Sequence, residues 1–273
     1  MGGMSTAAAF DPDHLIAKTP VCDPRRPRLG YRPLVAWRNF RALVRDKENT
    51  RIVFRIFEAL PWTGMPQAVE RLLATPQGRA LRLAEPSLPD VLDDHDALRR
   101  MPAGSLAHAY CDFMEREGLT ARGLVEEFEA FEQGREKFND HVQWYMSRMR
   151  DTHDLQHVLT GYGRDALGEQ CVLAFSYSQQ PSFGNLFIAY AGGVEIRRQV
   201  KSAAPVLQAV REGQRLGRAC PRLVELPVLE LLPLPLDEVR RRLHISAPRH
   251  YAQAHAVWRG MGVDPGDLLG KAA

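Results

Sequence analysis

Apolar residues recur at three- and four-residue spacing through most of the chain, which is the period of an amphipathic α-helix. The first clear case begins at Pro33, where Leu34, Trp37, Phe40 and Val44 share one face and arginines occupy the other. Proline suits the first turn of a helix. No segment shows the run of alternating apolar and polar residues that a half-buried strand requires. The pattern therefore predicts an all-α fold.

The same spacing predicts further helices along the chain. They cover residues 49–60, 67–74, 106–117, 123–133, 166–180, 184–199 and 237–243. The longest continuous pattern runs from near Arg135 to Leu159 and predicts one long helix that stops at Gly161. Glycine and proline recur between residues 76 and 89, so this stretch is predicted to contain turns with short helices.

Length and composition are those of an ordinary globular protein. The chain has 273 residues, of which 45% are hydrophobic and 25% charged, enough for one domain with a sizeable core. We predict a poorly ordered N-terminal tail over residues 1–32, a single all-α domain over 33–248 and a C-terminal extension over 249–273. The four cysteines form no Cys-x-x-Cys pair, so neither a zinc ribbon nor a dense disulfide framework is indicated, and a reducing compartment fits.

The positive charge is concentrated near the N-terminus. The net charge of +3 is too small to indicate a nucleic-acid partner, but residues 24–51 contain nine Lys or Arg and two acids, an excess of seven. A basic amphipathic helix here either rests on anionic lipid or packs on the core with a solvated basic face. The longest apolar stretch, residues 186–194, is far shorter than the ~20 residues of a spanning helix, and no secretory signal is visible. We expect a cytoplasmic protein, peripheral to the membrane.

The candidate chemistry lies in His153-Asp154-x-x-His157, with eleven residues between His157 and Glu169. At about 100° per residue, the first three side chains fall in one sector of a helix. The helix then stops at Gly161, the chain turns back, and Glu169 enters on the first turns of the next helix. We predict an antiparallel helix pair that brings this carboxylate against the two histidines.

A divalent metal ion explains this set of residues. Two neutral imidazoles and two carboxylates balance the charge of such a cation in an apolar interior. Mixed nitrogen and oxygen ligands suit zinc, iron, manganese or cobalt better than calcium, and the absence of thiolates disfavours a closed structural zinc site. The predicted metal ligands, which are also the predicted catalytic residues, are His153, Asp154, His157 and Glu169.

The spacing alone leaves ordinary structural roles open. The two histidines could be packed or surface groups, and Glu169 could be an acid that interacts with a helix dipole. We assign such roles to other histidines, among them His95, His108, His141 and His250. A set of apolar residues after the motif either lines a channel for a lipid tail or belongs to the core: Leu173, Phe175, Phe183, Leu186, Phe187 and Ile188.

The motif resembles the signature of the Coq-four family of coenzyme Q (ubiquinone) biosynthesis proteins, and similarity extends from about Pro33 to Ile245. The resemblance implies an all-α protein that holds one divalent ion, zinc by preference, with iron(II), manganese or cobalt as alternatives. It implies metal-dependent C1 decarboxylation, with hydroxylation, of a polyprenylated hydroxybenzoate-type precursor at the membrane surface. The implied partners are the polyprenylated quinone precursor, the membrane surface and other ubiquinone biosynthesis proteins, with a homodimer left open and no nucleic acid.

Two other interpretations remain open from the sequence. One is a non-catalytic, lipid-binding scaffold for the ubiquinone biosynthesis complex, in which an ion only joins two helices. The other is a metal-dependent phosphohydrolase, whose site would need further His and Asp ligands from distant helices. The pattern expected for that second class is not evident in the chain.

Overall fold

In the computed structural model, residues 16–46 and 49–268 are described, and they form α-helices joined by short loops. Apart from an isolated bridge between Ser105 and Pro235, this part of the chain contains no β-structure, which confirms the all-α prediction. The helices are α1 (Pro33–Leu43), α2 (Thr50–Ala59), α3 (Met65–Leu73), α4 (Pro76–Ala84), α5 (Pro89–Leu92), α6 (His95–Arg99), α7 (Leu106–Glu117), α8 (Ala121–Phe131), α9 (His141–Asp151), α10 (His153–Thr160), α11 (Ala166–Gln179), α12 (Phe183–Gln199), α13 (Val206–Ala219), α14 (Val228–Leu231), α15 (Leu236–Arg242) and α16 (Arg249–Gly260).

Local capping sets the ends of the helices near the motif. The side chains of Ser105, Asp140 and Asp165 accept hydrogen bonds from free backbone N–H groups at the starts of α7, α9 and α11. Helices α7 and α10 end at Gly118 and Gly161, whose φ angles of 65° and 76° lie in the left-handed region that glycine tolerates. Both stops lie where the sequence predicts them.

The prediction of a single long helix from near Arg135 to Leu159 is wrong, because the structure has two helices in this range. Helix α9 begins only after its cap Asp140, and Thr152 separates α9 from α10. The Thr152 hydroxyl donates to the carbonyl oxygen of Arg148 at 2.9 Å, and such a hydroxyl-to-carbonyl bond bends a helix. The break starts a new helix at the first histidine of the motif.

Helix α13 is absent from the sequence prediction, although it packs directly along α11. The two backbones approach closely at glycines. A Cβ atom at Gly213 would lie 2.4 Å from the carbonyl oxygen of Cys171, and one at Gly217 would lie 2.3 Å from that of Phe175. With α12 also packed against it, α11 is buried over Cys171, Val172, Ala174 and Phe175. The helix that carries Glu169 is therefore held firmly in place.

Replacing Gly217 with alanine is expected to lower the free energy of unfolding by about 1–3 kcal/mol, because the new methyl group overlaps a backbone carbonyl that cannot move without shifting α11. Denaturant unfolding followed by circular dichroism measures the change. Gly260→Ala in α16 is the matched control, since a Cβ there meets no atom within 4 Å. Equal stability of the two variants would contradict close backbone packing.

Part of the predicted disordered tail is packed against the domain. The backbone N–H of Val142 donates to the carbonyl of Val21 at 2.9 Å, and the Arg26 guanidinium forms two hydrogen bonds with the Asp140 carboxylate. This part of the predicted tail therefore contacts the start of α9, where Arg26 neutralises a buried acid. Residues 1–15 of the predicted tail lie outside the described residues.

The predicted C-terminal extension also contributes to the core. Tyr251, Ala254 and Trp258 of α16 are buried in the same hydrophobic cluster as α7, α10 and α11. Residues 269–273 lie outside the described residues. Within the described ranges, no helix combines the length and apolarity needed to cross a bilayer.

Candidate metal centre

Three of the four predicted ligands come together where α10 meets α11. One ligand atom from each of His153, His157 and Glu169 lies within 4.8 Å of the other two. The Nε2 atom of His157 is 3.6 Å from Oε1 of Glu169. Two ligands of one tetrahedral zinc ion, each about 2.1 Å from the metal, are separated by roughly 3.4 Å. This spacing fits a single ion.

His157 is held in the form that binds a metal. Its side chain is fully buried, and its Nδ1 atom donates to the carbonyl of Tyr162 at 3.1 Å. Burial lowers the pKa of this imidazole, so it is neutral at pH 7 and carries its lone pair on Nε2. That atom is buried without a hydrogen-bond partner among the described residues and faces a carboxylate oxygen. Two acceptors placed this way need a cation or a proton between them.

Asp154 contacts the neighbouring histidine. Its Oδ1 atom lies 3.4 Å from Nδ1 of His153, and it does not belong to the group of converging ligand atoms. Burial alone would lower the pKa of His153, but the hydrogen bond and charge of Asp154 outweigh burial and raise it. This contact leaves Nε2 of His153 available for a metal ion and suits a carboxylate that orients a histidine ligand. Direct ligation by Asp154 stays a prediction.

The loop between the two helices is anchored by α16. The Tyr251 hydroxyl accepts from the backbone N–H of Gly163 at 3.0 Å and donates to the carboxylate of Asp165, while His255 Nε2 lies 3.1 Å from the same carboxylate. A Cβ on Gly168 would lie 2.0 Å from the Gly163 carbonyl oxygen, so loop and helix are in close backbone contact. These contacts fix the separation of His157 and Glu169.

Replacing Tyr251 with phenylalanine is expected to weaken metal binding by about 10-fold, because the loop that spaces the ligands loses two hydrogen bonds. Competition with a chelator measures the affinity. Tyr190→Phe is the matched control: its hydroxyl donates to Gln214 on α13 at 2.8 Å, away from the loop. An equal loss of affinity in both variants would show that the effect is one of general stability.

A cavity of about 2210 Å³ adjoins the candidate metal centre. His153, Asp154 and Glu169 lie in its wall, and much of the remaining wall is apolar. The apolar part includes Phe40, Phe54, Phe57, Phe128, Phe131 and Phe138. Of the predicted channel residues, Leu173 and Ile188 line this cavity, whereas Phe175 is buried in the core and Phe183 is exposed.

Several residues that surround the candidate metal centre are not among those predicted from the sequence. Arg164 lines the cavity with its Nε atom 3.8 Å from Oε1 of Glu169, and Tyr251 and His255 hold the loop from α16. Phe113 stacks on His157 with 5.4 Å between ring centroids. The position of Arg164 directly after the Gly-Tyr-Gly turn is a usable sequence signal. The contacts of Tyr251, His255 and Phe113 join residues that are distant in the chain, so no local sequence signal indicates them.

A second group of potential ligand atoms lies between α6 and α7 and comprises His95, Cys111 and Glu115. Glu115 is already bound by Arg99 at 2.8 Å and by His95 at 3.2 Å. Burial raises the pKa of the Cys111 thiol, which disfavours the thiolate that a metal requires. These contacts make a structural role the better interpretation, as predicted for His95.

Comparison with known proteins identifies relatives over most of the chain. The family model described as "Coenzyme Q (ubiquinone) biosynthesis protein Coq4" matches residues 33–249. The "Ubiquinone biosynthesis protein coq4, mitochondrial" of Aspergillus clavatus is 26% identical over 205 residues, which cover 72% of this chain and 68% of that protein. The "Ubiquinone biosynthesis protein COQ4 homolog, mitochondrial" of Danio rerio is 28% identical over 185 residues, covering 66% and 63% respectively.

A crystal structure of a protein from Nostoc punctiforme has a similar fold. The TM-score is 0.51 at 23% identity, and the match covers 78% of this chain and 98% of that one. The same helical architecture is therefore found in a solved structure.

Proposed function

The chain belongs to the Coq4 family of coenzyme Q (ubiquinone) biosynthesis proteins, and on this premise we propose that it removes the C1 carboxylate, with hydroxylation of that carbon, from a polyprenylated hydroxybenzoate-type precursor. One observation carries the proposal. The buried, unpartnered Nε2 atom of His157 faces the Glu169 carboxylate beside a large, mostly apolar cavity. This combination suits a polar reaction on a lipid-bearing ring.

The proposed cofactor is one divalent metal ion on the pair α10 and α11, taken to be antiparallel. His153, His157 and Glu169 would hold it, with Asp154 as a further ligand or as the group that orients His153. Zinc is our first choice, and iron(II), manganese and cobalt are the alternatives, because two histidines and one carboxylate occur in both catalytic zinc and non-haem iron sites. A bound divalent ion supplies a Lewis acid that stabilises negative charge on a nearby oxygen.

The protein's own groups would prepare the site for decarboxylation. Phe113 packs on the His157 ring and helps to exclude water, and the Tyr162 carbonyl prevents that imidazole from rotating. Asp154 lines the cavity next to His153, and its carboxylate can accept a proton from the water that supplies the hydroxyl group. Replacing the carboxylate by hydrogen is redox-neutral. Replacing it by hydroxyl is a two-electron oxidation, in which water would supply the hydroxyl oxygen and dioxygen would take up two electrons and two protons to leave as hydrogen peroxide.

The cavity would take the isoprenoid tail. Its phenylalanines come from α1, α2, α8 and the segment before α9, and they provide apolar surface in the cavity wall. An isoprenoid chain gains about 25 cal/mol for each Å² of apolar surface removed from water. The wall is therefore suited to a long hydrocarbon attached to a polar ring.

Helix α1 is the proposed contact with the membrane. Leu34 is 74% exposed and Trp37 is 50% exposed, although both belong to the apolar face of the predicted helix. Arg38 and Arg41 lie nearby on the same helix. Exposed apolar residues beside basic ones suit an anionic lipid surface. The wild-type protein should sediment with vesicles that contain anionic lipid and remain in solution with vesicles of neutral lipid. Equal sedimentation of Trp37→Ser would remove α1 from this role.

Turnover of a geranylated hydroxybenzoate labelled at the carboxyl carbon tests the enzymatic proposal. We expect labelled carbon dioxide from the metal-loaded protein and a loss of at least about 100-fold in Glu169→Gln, since one ligand is weakened. Glu230→Gln, an exposed acid on α14, is the control. Binding without release of carbon dioxide would contradict catalysis and favour the lipid-binding scaffold.

The metal-dependent phosphohydrolase is the less supported alternative. In the described part of the chain, the converging ligands at this centre come only from α10 and α11. A phosphohydrolase of the predicted type would need further His and Asp ligands from distant helices. Hydrolysis of a phosphate ester by the metal-loaded protein would favour that class.

A further inference from the structure

Arg164 carries a positive charge next to the candidate metal centre, and no described residue forms a hydrogen bond with its guanidinium. Its side chain is 37% exposed in the wall of the cavity, and its nearest acidic atom, Oε1 of Glu169, is 3.8 Å from its Nε. That separation is too long for a hydrogen bond. Within the described ranges its guanidinium makes none, so its N–H donors are available to a ligand.

The backbone on both sides of Arg164 is fixed. The N–H of Gly163 donates to the Tyr251 hydroxyl, and the Asp165 carboxylate is engaged by Tyr251, by His255 and by the first N–H groups of α11. Asp165 is therefore not free to pair with Arg164. The guanidinium projects from a rigid support, which reduces the entropic cost of binding a ligand.

Several other cavity arginines already have acidic partners. Arg26 is bound to Asp140, Arg135 to Glu58 and Arg150 to Asp151. Arg28 and Arg45 also line the cavity, but they belong to the N-terminal segment and the end of α1. Arg164 differs from them because it adjoins Glu169 and its charge affects both His153 and Asp154.

The charges of the centre indicate what Arg164 would bind. When the histidines are neutral, a divalent ion balances the two negative charges of Asp154 and Glu169. The positive charge of Arg164 is then left over, so the site carries a net charge of +1. An unbalanced charge in a partly buried site is unfavourable, and a ligand with a single negative charge removes the imbalance. A carboxylate also matches the planar fork of a guanidinium.

We propose that Arg164 binds the carboxylate of the aromatic substrate and selects the carboxylated ring over the decarboxylated one. The inference rests on the proposed function and adds a specificity-determining residue to it. The carboxylate loses its charge as carbon dioxide forms, so the contact is stronger with bound substrate than in the transition state. Arg164 therefore lowers KM and does not raise kcat. The product lacks the carboxylate and dissociates more readily.

Calorimetric titration of the metal-loaded protein with two probes tests the inference: a geranylated hydroxybenzoate and the corresponding geranylated phenol. Wild type should bind the carboxylate about 10- to 100-fold more tightly than the phenol, the range expected for hydrogen bonds to a charged group. Arg164→Gln should lose most of this preference while its Kd for the phenol stays unchanged, which also shows that it is folded. Arg164→Lys should retain part of the preference because the charge remains.

The control is Arg218→Gln, which removes the same charge from an exposed position on α13 away from the cavity. An unchanged carboxylate preference in Arg164→Gln, or equal loss in Arg218→Gln, would overturn the role of Arg164. Equal affinity of the wild-type protein for both probes would also overturn the role of Arg164, but it would still support the cavity as the binding site of the isoprenoid tail. Wild-type protein that binds neither probe would overturn the proposed function itself. In turnover, Arg164→Gln should raise KM and leave kcat equal to or above that of wild type, and a fall in kcat alone would contradict the assignment.

Discussion

Replacing His157 with alanine is expected to leave the purified protein without stoichiometric metal and to abolish its ability to restore ubiquinone synthesis in a cell that lacks its own homologue. The imidazole is fully buried, and its Nε2 atom is directed at Glu169. Losing an outer partner of a ligand already costs about 10- to 100-fold in metal affinity, and losing the ligand itself costs more. Elemental analysis of the protein and mass spectrometry of cellular lipids measure the two outcomes.

His250→Ala is the matched control for this experiment. His250 lies on α16 outside the converging ligand atoms of the candidate metal centre, and its backbone N–H donates to Glu212 at 2.8 Å. The His250→Ala variant should retain metal and restore ubiquinone synthesis. Glu169→Ala is the companion variant: a full complement of metal in it would remove Glu169 from the ligand set. Ubiquinone restored by metal-free His157→Ala would support the scaffold interpretation over catalysis.

Replacing Glu85 with alanine is expected to lower the free energy of unfolding by about 3–5 kcal/mol, because it leaves the charge of Arg148 buried and unpaired. Both side chains are 2% exposed, and Nη1 of Arg148 lies 2.7 Å from Oε2 of Glu85. Arg148 also donates to the carbonyls of Val224 and Leu226. Glu85 accepts from the backbone N–H groups of Val228 and Leu229 at 3.2 and 2.9 Å.

This ion pair joins the end of α4, α9 and the start of α14, so its loss affects three parts of the fold together. Urea unfolding of the single variants and of the double variant Glu85→Leu/Arg148→Met measures the coupling. We expect the double variant to be more stable than Glu85→Ala, since it buries no charge. Glu238→Ala removes a half-buried surface partner of Arg242 and should cost less than about 1 kcal/mol. Similar losses for Glu85→Ala and Glu238→Ala would contradict the buried pair.

Much of the fold follows from local pattern. The predicted helix over residues 106–117 is observed as Leu106–Glu117, and α10 ends at Gly161 as predicted. Periodicity, an N-cap side chain and a left-handed glycine all act within a few residues, so the sequence reports them directly. The break at Thr152 was missed, because a threonine within a periodic pattern does not by itself indicate that the helix stops.

Helix α13 shows why some elements escape such prediction. Two glycines, Gly213 and Gly217, each lower helix propensity by about 1 kcal/mol relative to alanine. In the structure they are the points where the backbone of α13 meets that of α11. Tertiary packing thus stabilises a helix that the local sequence disfavours, and this packing positions α11 with Glu169.

The helical class and the His153-Asp154-x-x-His157 spacing, with Glu169 one loop away, can be derived from the amino-acid order, because they depend on chain geometry over short distances. Long-range packing brings His153, His157 and Glu169 together and places Asp154 against His153. The same long-range packing lets α16 anchor the loop and places Arg164 at the cavity wall, 3.8 Å from Glu169, where it makes no hydrogen bond to any described residue. The reason is physical: hydrogen-bond partners and burial depend on residues far apart in the chain, and no local period encodes them.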